Sequence, residues 1–435
     1  MGSPAVVILL LFFILLVFNC PIAMALTMCS IIFLWMNPSI PVSLVTGAFF
    51  HSVDSFTLLA VPFFILAGEL MIAGGISKRL IKACTVLFRK ATGSLGAITV
   101  VACMIFAAIS GSGPATVASM GGIMIPAMIK AGYDRGYACS LAAAGGSIGP
   151  VIPPSLCFIM YGIIAQVSIT DLFMGGVIPG ILMGVCLLVY NYIVSKKNGY
   201  GAAVLEREIN PKTGKPESDA HILLDAIWAL LVPVIILGGI YGGIFTPTEA
   251  AVIACDYALV VGVLVYRELK VKDLLRVLAR TTLTCGTTML LVCAATAFGR
   301  LLTMQKVPAA ITALITGIST NKYVVLLMIN ILLFFVGMLM ETLSGIIIFT
   351  PLLLPLVTSL GVNPLHFGVI ITVNMVIGQL TPPVGVNSII GAQIGGIKMD
   401  DMFKRIVVAV AVLLVALILV TNIPALSTWL PSVLN

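Results

Sequence analysis

Ser110-Gly111-Ser112-Gly113-Pro114, followed by Gly149-Pro150-Val151-Ile152-Pro153-Pro154-Ser155, decides how this chain folds. A second stretch echoes the first: Glu341-Thr342-Leu343-Ser344-Gly345, followed by Gly378-Gln379-Leu380-Thr381-Pro382-Pro383. A shift of 229 residues carries one onto the other without a gap. Under it Pro126 meets Pro355, Gly132 meets Gly361, Gly149 meets Gly378, and Pro153-Pro154 meets Pro382-Pro383. In both copies helix breakers are set in otherwise apolar sequence. Interrupted hydrophobic segments at corresponding positions of two halves point to a transporter binding site built from broken helices.

The rest of the composition agrees. Of 435 residues, 60% are hydrophobic and only 9% are charged. A soluble fold of this length does not cover that much apolar surface. Uncharged runs such as 3–36, 91–129 and 406–435 exceed the roughly 20 residues a helix needs to span a bilayer core. The fold class is therefore an all-α polytopic membrane protein, with about 11 transmembrane segments counting broken helices. The net charge of +7 sits in short loops between spans and does not signal nucleic-acid binding. Ten Cys are scattered through apolar segments with no CxxC pair, and His51, His221 and His366 form no metal motif.

Along the chain, 4–36 reads as one long helix or two half-helices meeting near Pro21. It lacks a basic leader and continues past that proline, so it reads as a span rather than a cleavable signal. Residues 38–55 read as an interfacial segment and 56–75 as a span. Lys78, Arg79, Lys82, Arg89 and Lys90 then read as a basic loop, which places it in the cytoplasm. A re-entrant hairpin is expected at 93–130, a broken crossing at 136–166 and a return span at 172–194. The polar stretch 196–221 is the cytoplasmic linker between a first repeat, 1–195, and a second, 222–435.

In the second repeat, spans are expected at 222–243, 248–266, 283–304 and 406–430, with an amphipathic surface helix at 267–280. The hairpin is expected at 323–361 and the broken crossing at 364–397. Thr246-Pro247-Thr248-Glu249 has the form of a helix capping box, which accounts for Glu249 without a transport role. Basic loops placed inside put the N-terminus in the cytoplasm and make the two hairpins face opposite ways, as inverted repeats require.

The sequence resembles the large membrane subunit of tripartite ATP-independent periplasmic (TRAP) transporters. The resemblance rests on Asp54-Ser55-Phe56, Leu58 to Phe64, Ser110 to Ser112, Ile125-Pro126 with Ala131 to Tyr133, and Gly149 to Ser155. In the second half it rests on Gly243 to Glu249, Gly337-Met338 and Gly378 to Val386. It implies a sodium-coupled importer of organic acids in a bacterial inner membrane. Its implied partners are a smaller membrane subunit, here a separate polypeptide, and a periplasmic substrate-binding protein. Its implied motion is an elevator, in which a domain holding both hairpins slides against a scaffold.

The resemblance also places cargo. Backbone carbonyls at broken helix ends suit sodium. Gly337, Gly378, Val384 and Thr381, with the Thr381 hydroxyl, form one expected site; Gly149, Ile152 and Ser155 are the shifted equivalents, with Ser110 and Ser112 completing that site. Two or more sodium ions are expected, and no organic cofactor. Glu341 aligns with Ser112 between long uncharged runs, where a carboxylate costs at least about 2.5 kcal/mol unless paired or hydrated. It reads as an ion ligand or a source of site electrostatics, against an interfacial structural residue. Ser110 and Ser155, with Ser112 beside them, are candidate donors to a substrate carboxylate, a likeness that leans towards N-acetylneuraminate over C4-dicarboxylates. Arg300 is a rival anion site, better explained by snorkelling near a span end.

Other classes fit less well. The Gly-Ser tip lacks the Lys-Ser/Thr of a phosphate loop, which removes an ATP-driven reading. An intramembrane hydrolase would need a Ser-Lys, Ser-His or paired-Asp arrangement that the sequence does not offer. A channel is disfavoured because two inverted copies in one chain suit alternating access. The nearest alternative is a stand-alone sodium/dicarboxylate symporter that needs no binding protein.

Overall fold

The computed structural model describes residues 4–18, 20–201 and 218–434. Most of the expected linker, 202–217, lies outside the described residues. The described chain is helical throughout and holds no strand. Among the described residues eight helices are long and apolar enough to cross a membrane, and each broken crossing contributes one shorter apolar helix, Leu156–Ala165 or Pro364–Gly378.

The interruptions fall where glycine, serine and proline collect. The first hairpin has a first arm, Ser94–Ser110, and a second arm over 113–130 that contains a π-helical turn, Val117–Gly121. The first broken crossing is Arg135–Gly146 and Leu156–Ala165. The second hairpin is Lys322–Leu339 and Thr342–Ser359, and the second crossing is Pro364–Gly378 and Val386–Gly395. Proline cannot donate to a helix and clashes with the preceding turn; here Pro150, Pro153 and Pro154, then Pro382 and Pro383, keep both crossings open. The chain near Pro21 forms two helices, Pro4–Val17 and Ile22–Met36.

Four sequence readings need correction. The basic stretch 78–90 is mostly a helix, Ile76–Phe88, not a loop. Ile76, Leu80, Ile81 and Cys84 recur at three- and four-residue spacing and are buried, so one face packs while the cations occupy the other. The surface helix and the span expected on either side of residue 282 are one helix, Val271–Met304, because no proline interrupts them. A helix not anticipated at all, Val307–Ile318, follows. The last span, Met399–Asn422, stops before Pro424, and a separate helix, Ala425–Leu434, ends the described chain.

The same offset of 229 reaches beyond the breaks. It brings Val42–His51 and Ala60–Ala73 onto Val271–Met304, Ile76–Phe88 onto Val307–Ile318, and Ile169–Asn198 onto Met399–Asn422, within a few residues. The halves differ at 52–55, where the first is broken and the second runs on as helix.

Packing sorts the helices into two groups. Both hairpins and both broken crossings pack together, and the second arm of each hairpin lies against the other half's crossing: 342–359 on Leu156–Ala165, and 113–130 on Val386–Gly395. Ile22–Met36, Ala60–Ala73, Asp219–Tyr241, Pro247–Val260 and Val271–Met304 form the other group. Ile76–Phe88 and Val307–Ile318 bridge the groups, each packed on a hairpin arm. Arg79 anchors the first bridge: its Nε donates to Asp225 at 2.8 Å and an Nη donates to Glu268 at 2.7 Å. The guanidinium also lies 3.6 Å from the centre of the Tyr266 ring.

Candidate functional site

Each hairpin tip rests on the break of its own half's crossing, and glycine sets how closely. A Cβ on Gly149 would stand 2.7 Å from the Ser112 carbonyl oxygen and 3.0 Å from the Gly113 nitrogen. Gly111, at φ +58°, would place a Cβ 2.6 Å from the Pro154 carbonyl and 3.3 Å from Ser155 Cα. In the second half a Cβ on Gly378 would stand 2.7 Å from Gly337 Cα. These contacts are backbone against backbone, so no side chain can move aside to admit a methyl group.

The first tip brings Ser110, Ser112, Gly149 and Ser155 together. Ser110 and Thr116 hydroxyls share a hydrogen bond of 2.9 Å, and Thr116 Oγ1 donates to the Ser112 carbonyl at 2.7 Å. Ser155 is fully buried and caps Leu156–Ala165: the Phe158 amide donates to its Oγ at 3.3 Å. The Ser155 hydroxyl in turn donates to the Pro150 carbonyl. An anion would take that proton only in exchange for the Pro150 bond. Ile152 shares the break, but its side chain packs on Gly180 of Ile169–Asn198.

The second tip brings Gly337, Gly378, Thr381 and Val384 together. The Val384 amide donates to the Met338 carbonyl at 3.2 Å, stitching the break to the hairpin. The Gly378 carbonyl accepts from the Thr381 amide at 2.9 Å and from Thr381 Oγ1 at 2.7 Å. A cation using that carbonyl would turn the Thr381 hydroxyl from donor to ligand. Glu341 stands just before Thr342–Ser359 with its side chain exposed and no capping bond. A carboxylate there gains from the partial positive charge of the helix N-terminus. The helix it precedes packs on Leu156–Ala165, so the second hairpin lies against the first crossing.

Elsewhere, Thr246 and Glu249 make both bonds of the capping box, at 2.8 and 3.3 Å, as the sequence suggests. Arg300 is exposed near the end of Val271–Met304. Among the described residues no group of three His, Cys, Asp or Glu could hold a metal ion. The donors at both tips are carbonyls and hydroxyls, with Glu341 as the lone carboxylate, which suits a weakly held monovalent cation. A cleft of about 530 Å³ separates the two helix groups at one end, lined by Ser55, Thr57, Gln166, Thr170 and Thr246.

Sequence reasoning missed three buried polar side chains at this site. Asn387 and Gln379 have neither amide atom hydrogen-bonded among the described residues, and the Thr342 hydroxyl is likewise without a partner. Asn387 escaped because the repeat pairs it with Phe158. A search for matched polar residues passes over it, whereas a search for any amide beside a break would stop there.

Comparison with known proteins fixes the family. The model of "Tripartite ATP-independent periplasmic transporter, DctM component" matches residues 9–426. An isethionate TRAP transporter permease protein, DctMQ, from Oleidesulfovibrio alaskensis is 42% identical over 98% of this chain and 66% of its own length. The chain thus spans just under two thirds of that relative. The C4-dicarboxylate TRAP transporter large permease protein DctM of Pseudomonas aeruginosa is 37% identical over 88% of both chains. The sialic acid TRAP transporter large permease protein SiaM of Vibrio cholerae is 35% identical over 94% of both. The crystal structure of the Alcanivorax borkumensis YdaH transporter shares the fold at a TM-score of 0.63, covering 97% of this chain and 98% of that one, at 14% identity. This chain belongs to the DctM family of large permease components of tripartite ATP-independent periplasmic transporters.

Proposed function

We propose that this chain imports an organic acid anion with sodium ions, by an elevator motion in which the hairpin group slides against the other helix group. The observation that carries this reading is the paired seating of two tips on two breaks: Ser112 on Gly149, and Gly337 on Gly378. Each seat collects carbonyl oxygens at interrupted helix ends, the arrangement that coordinates sodium in inverted-repeat transporters. Sodium at the first seat would put positive charge beside Ser110 and Ser155, the proposed donors to the anion. Binding of cation and anion would then favour each other, which is the basis of coupled transport.

The relatives' names span isethionate, C4-dicarboxylates and sialic acid. What those substrates share is an acidic head group on a small polar molecule, and that is the substrate class proposed here. A small membrane subunit and a periplasmic binding protein complete the tripartite assembly, in a bacterial inner membrane with the N-terminus in the cytoplasm. The two halves are inverted repeats in this reading.

The test is uptake into proteoliposomes of the full complex, across a panel of carboxylates and sulfonates delivered by the cognate binding protein. Saturable uptake of one acid that follows the inward sodium gradient supports the reading. Uptake at an equal rate without the binding protein would favour a stand-alone symporter.

A further inference from the structure

We propose that Asn387 supplies its side-chain carbonyl oxygen to the sodium ion at the first tip, so that this ion site is closed by the opposite half of the chain. The inference rests on the sodium-coupled reading above and adds to it a ligand that the repeat does not predict.

Asn387 is fully buried, and neither its Nδ2 nor its Oδ1 has a hydrogen-bond partner among the described residues. Buried amides are almost always satisfied, so an amide left with both ends open calls for a partner outside the protein, a water or an ion. The amide faces Gly113: a Cβ there would stand 2.9 Å from Nδ2, 3.2 Å from Oδ1 and 3.4 Å from the Gly146 carbonyl oxygen. Only a glycine leaves room for it. The Ser112 carbonyl, one residue earlier, lies against Gly149.

The amide of the second half thus meets two elements of the first half, the tip at Gly113 and the Gly146 carbonyl at the end of Arg135–Gly146. Nδ2 finds no acceptor there, and Oδ1 no donor. A side-chain oxygen left without a donor beside a helix-end carbonyl is reconciled by a cation. A half-turn of the amide exchanges Nδ2 and Oδ1 and brings the oxygen to the tip. Because the equivalent position in the first half is Phe158, the second tip has no such ligand, and the two ion sites are unequal.

The test needs no knowledge of the transported acid. The purified complex is melted while sodium chloride replaces potassium chloride at constant ionic strength; a ligand that binds only the folded state raises Tm with its concentration. Wild type is expected to gain Tm with sodium. Asn387→Leu should raise the half-saturating sodium concentration by about tenfold or more, and Asn387→Asp should leave it equal or lower, since a carboxylate also ligates a cation. Asn387→Ser, smaller and still bearing an oxygen, serves if the leucine variant does not fold, and should fall between the two. An unaltered sodium response in Asn387→Leu or Asn387→Ser overturns the proposal, as does an Asp variant as impaired as the Leu one, which would make the residue a donor. If wild type itself shows no sodium-specific gain, the coupling reading falls first.

Discussion

At the scale of single residues, the glycines at the two seats make a severe demand. Gly378→Ala puts a methyl group 2.7 Å from Gly337 Cα, with backbone on both sides. It is expected to destabilise the protein by about 1–3 kcal/mol, seen as a lower Tm in detergent, and to abolish uptake. Gly122, where a Cβ meets nothing within 4 Å, is the control; Gly122→Ala should do neither. Ser155 carries two roles that substitution can separate. Ser155→Ala loses the helix cap, about 1 kcal/mol, and the hydroxyl donor together; Ser155→Gly loses the same donor but only about a few tenths of a kcal/mol of cap. Both should stop uptake, with the larger stability loss in Ala.

These residues were unequally legible in the sequence. Gly149, Gly378 and Thr381 announce themselves because they recur at a fixed offset beside prolines. Ser110 and Ser155 stand out as hydroxyls within apolar runs. Asn387 and Gln379 do not, because the chain repeats its breaks more faithfully than the polar side chains beside them. Ile152 enters the ion site by that same symmetry through its backbone carbonyl, while its side chain packs on Gly180.

At the scale of elements, two helices hidden in the sequence turn out to be one device used twice. Ile76–Phe88 and Val307–Ile318 occupy offset-equivalent positions and bridge the two helix groups. The first was obscured by its cations, which read as a loop. The second falls between a span and a hairpin where no charge pattern marks it. Extending the 229-residue shift past the breaks would have exposed both. Joining 267–280 to 283–304 failed for a different reason: a change from polar to apolar composition marks where a helix meets lipid, not where it ends.

The Arg79 anchor makes a further prediction at this scale. Its side chain is only 15% exposed and holds Asp225 and Glu268 at once. Arg79→Ala should cost about 1.5–3 kcal/mol, and Arg79→Lys should recover little because a point charge cannot serve two acceptors in different directions. Thermal melts of the single variants and of Arg79→Ala with Asp225→Asn would show less than additive losses if the contact is as described. Additive losses would mean the pair does not interact.

At the scale of the whole molecule, the account depends on two groups of helices that move relative to one another. The cleft lined by Thr57 on one side and Gln166 on the other is where that motion is open to a direct probe. With the ten native cysteines replaced, Thr57→Cys combined with Gln166→Cys, bridged by a bifunctional thiol reagent, should block uptake reversibly. Either cysteine alone should leave uptake sensitive to neither reagent nor reductant. Uptake that persists in the bridged protein would rule out sliding at this boundary.

The central claim is that seating two tips on two breaks couples an organic anion to sodium. Uptake of the cognate acid by proteoliposomes of the complete complex, with the inward sodium gradient set and then collapsed by a sodium ionophore, tests it most directly. The account predicts saturable accumulation that stops when the gradient is lost and that Ser110→Ala with Ser155→Ala abolishes. Accumulation that continues unchanged without a sodium gradient would contradict it.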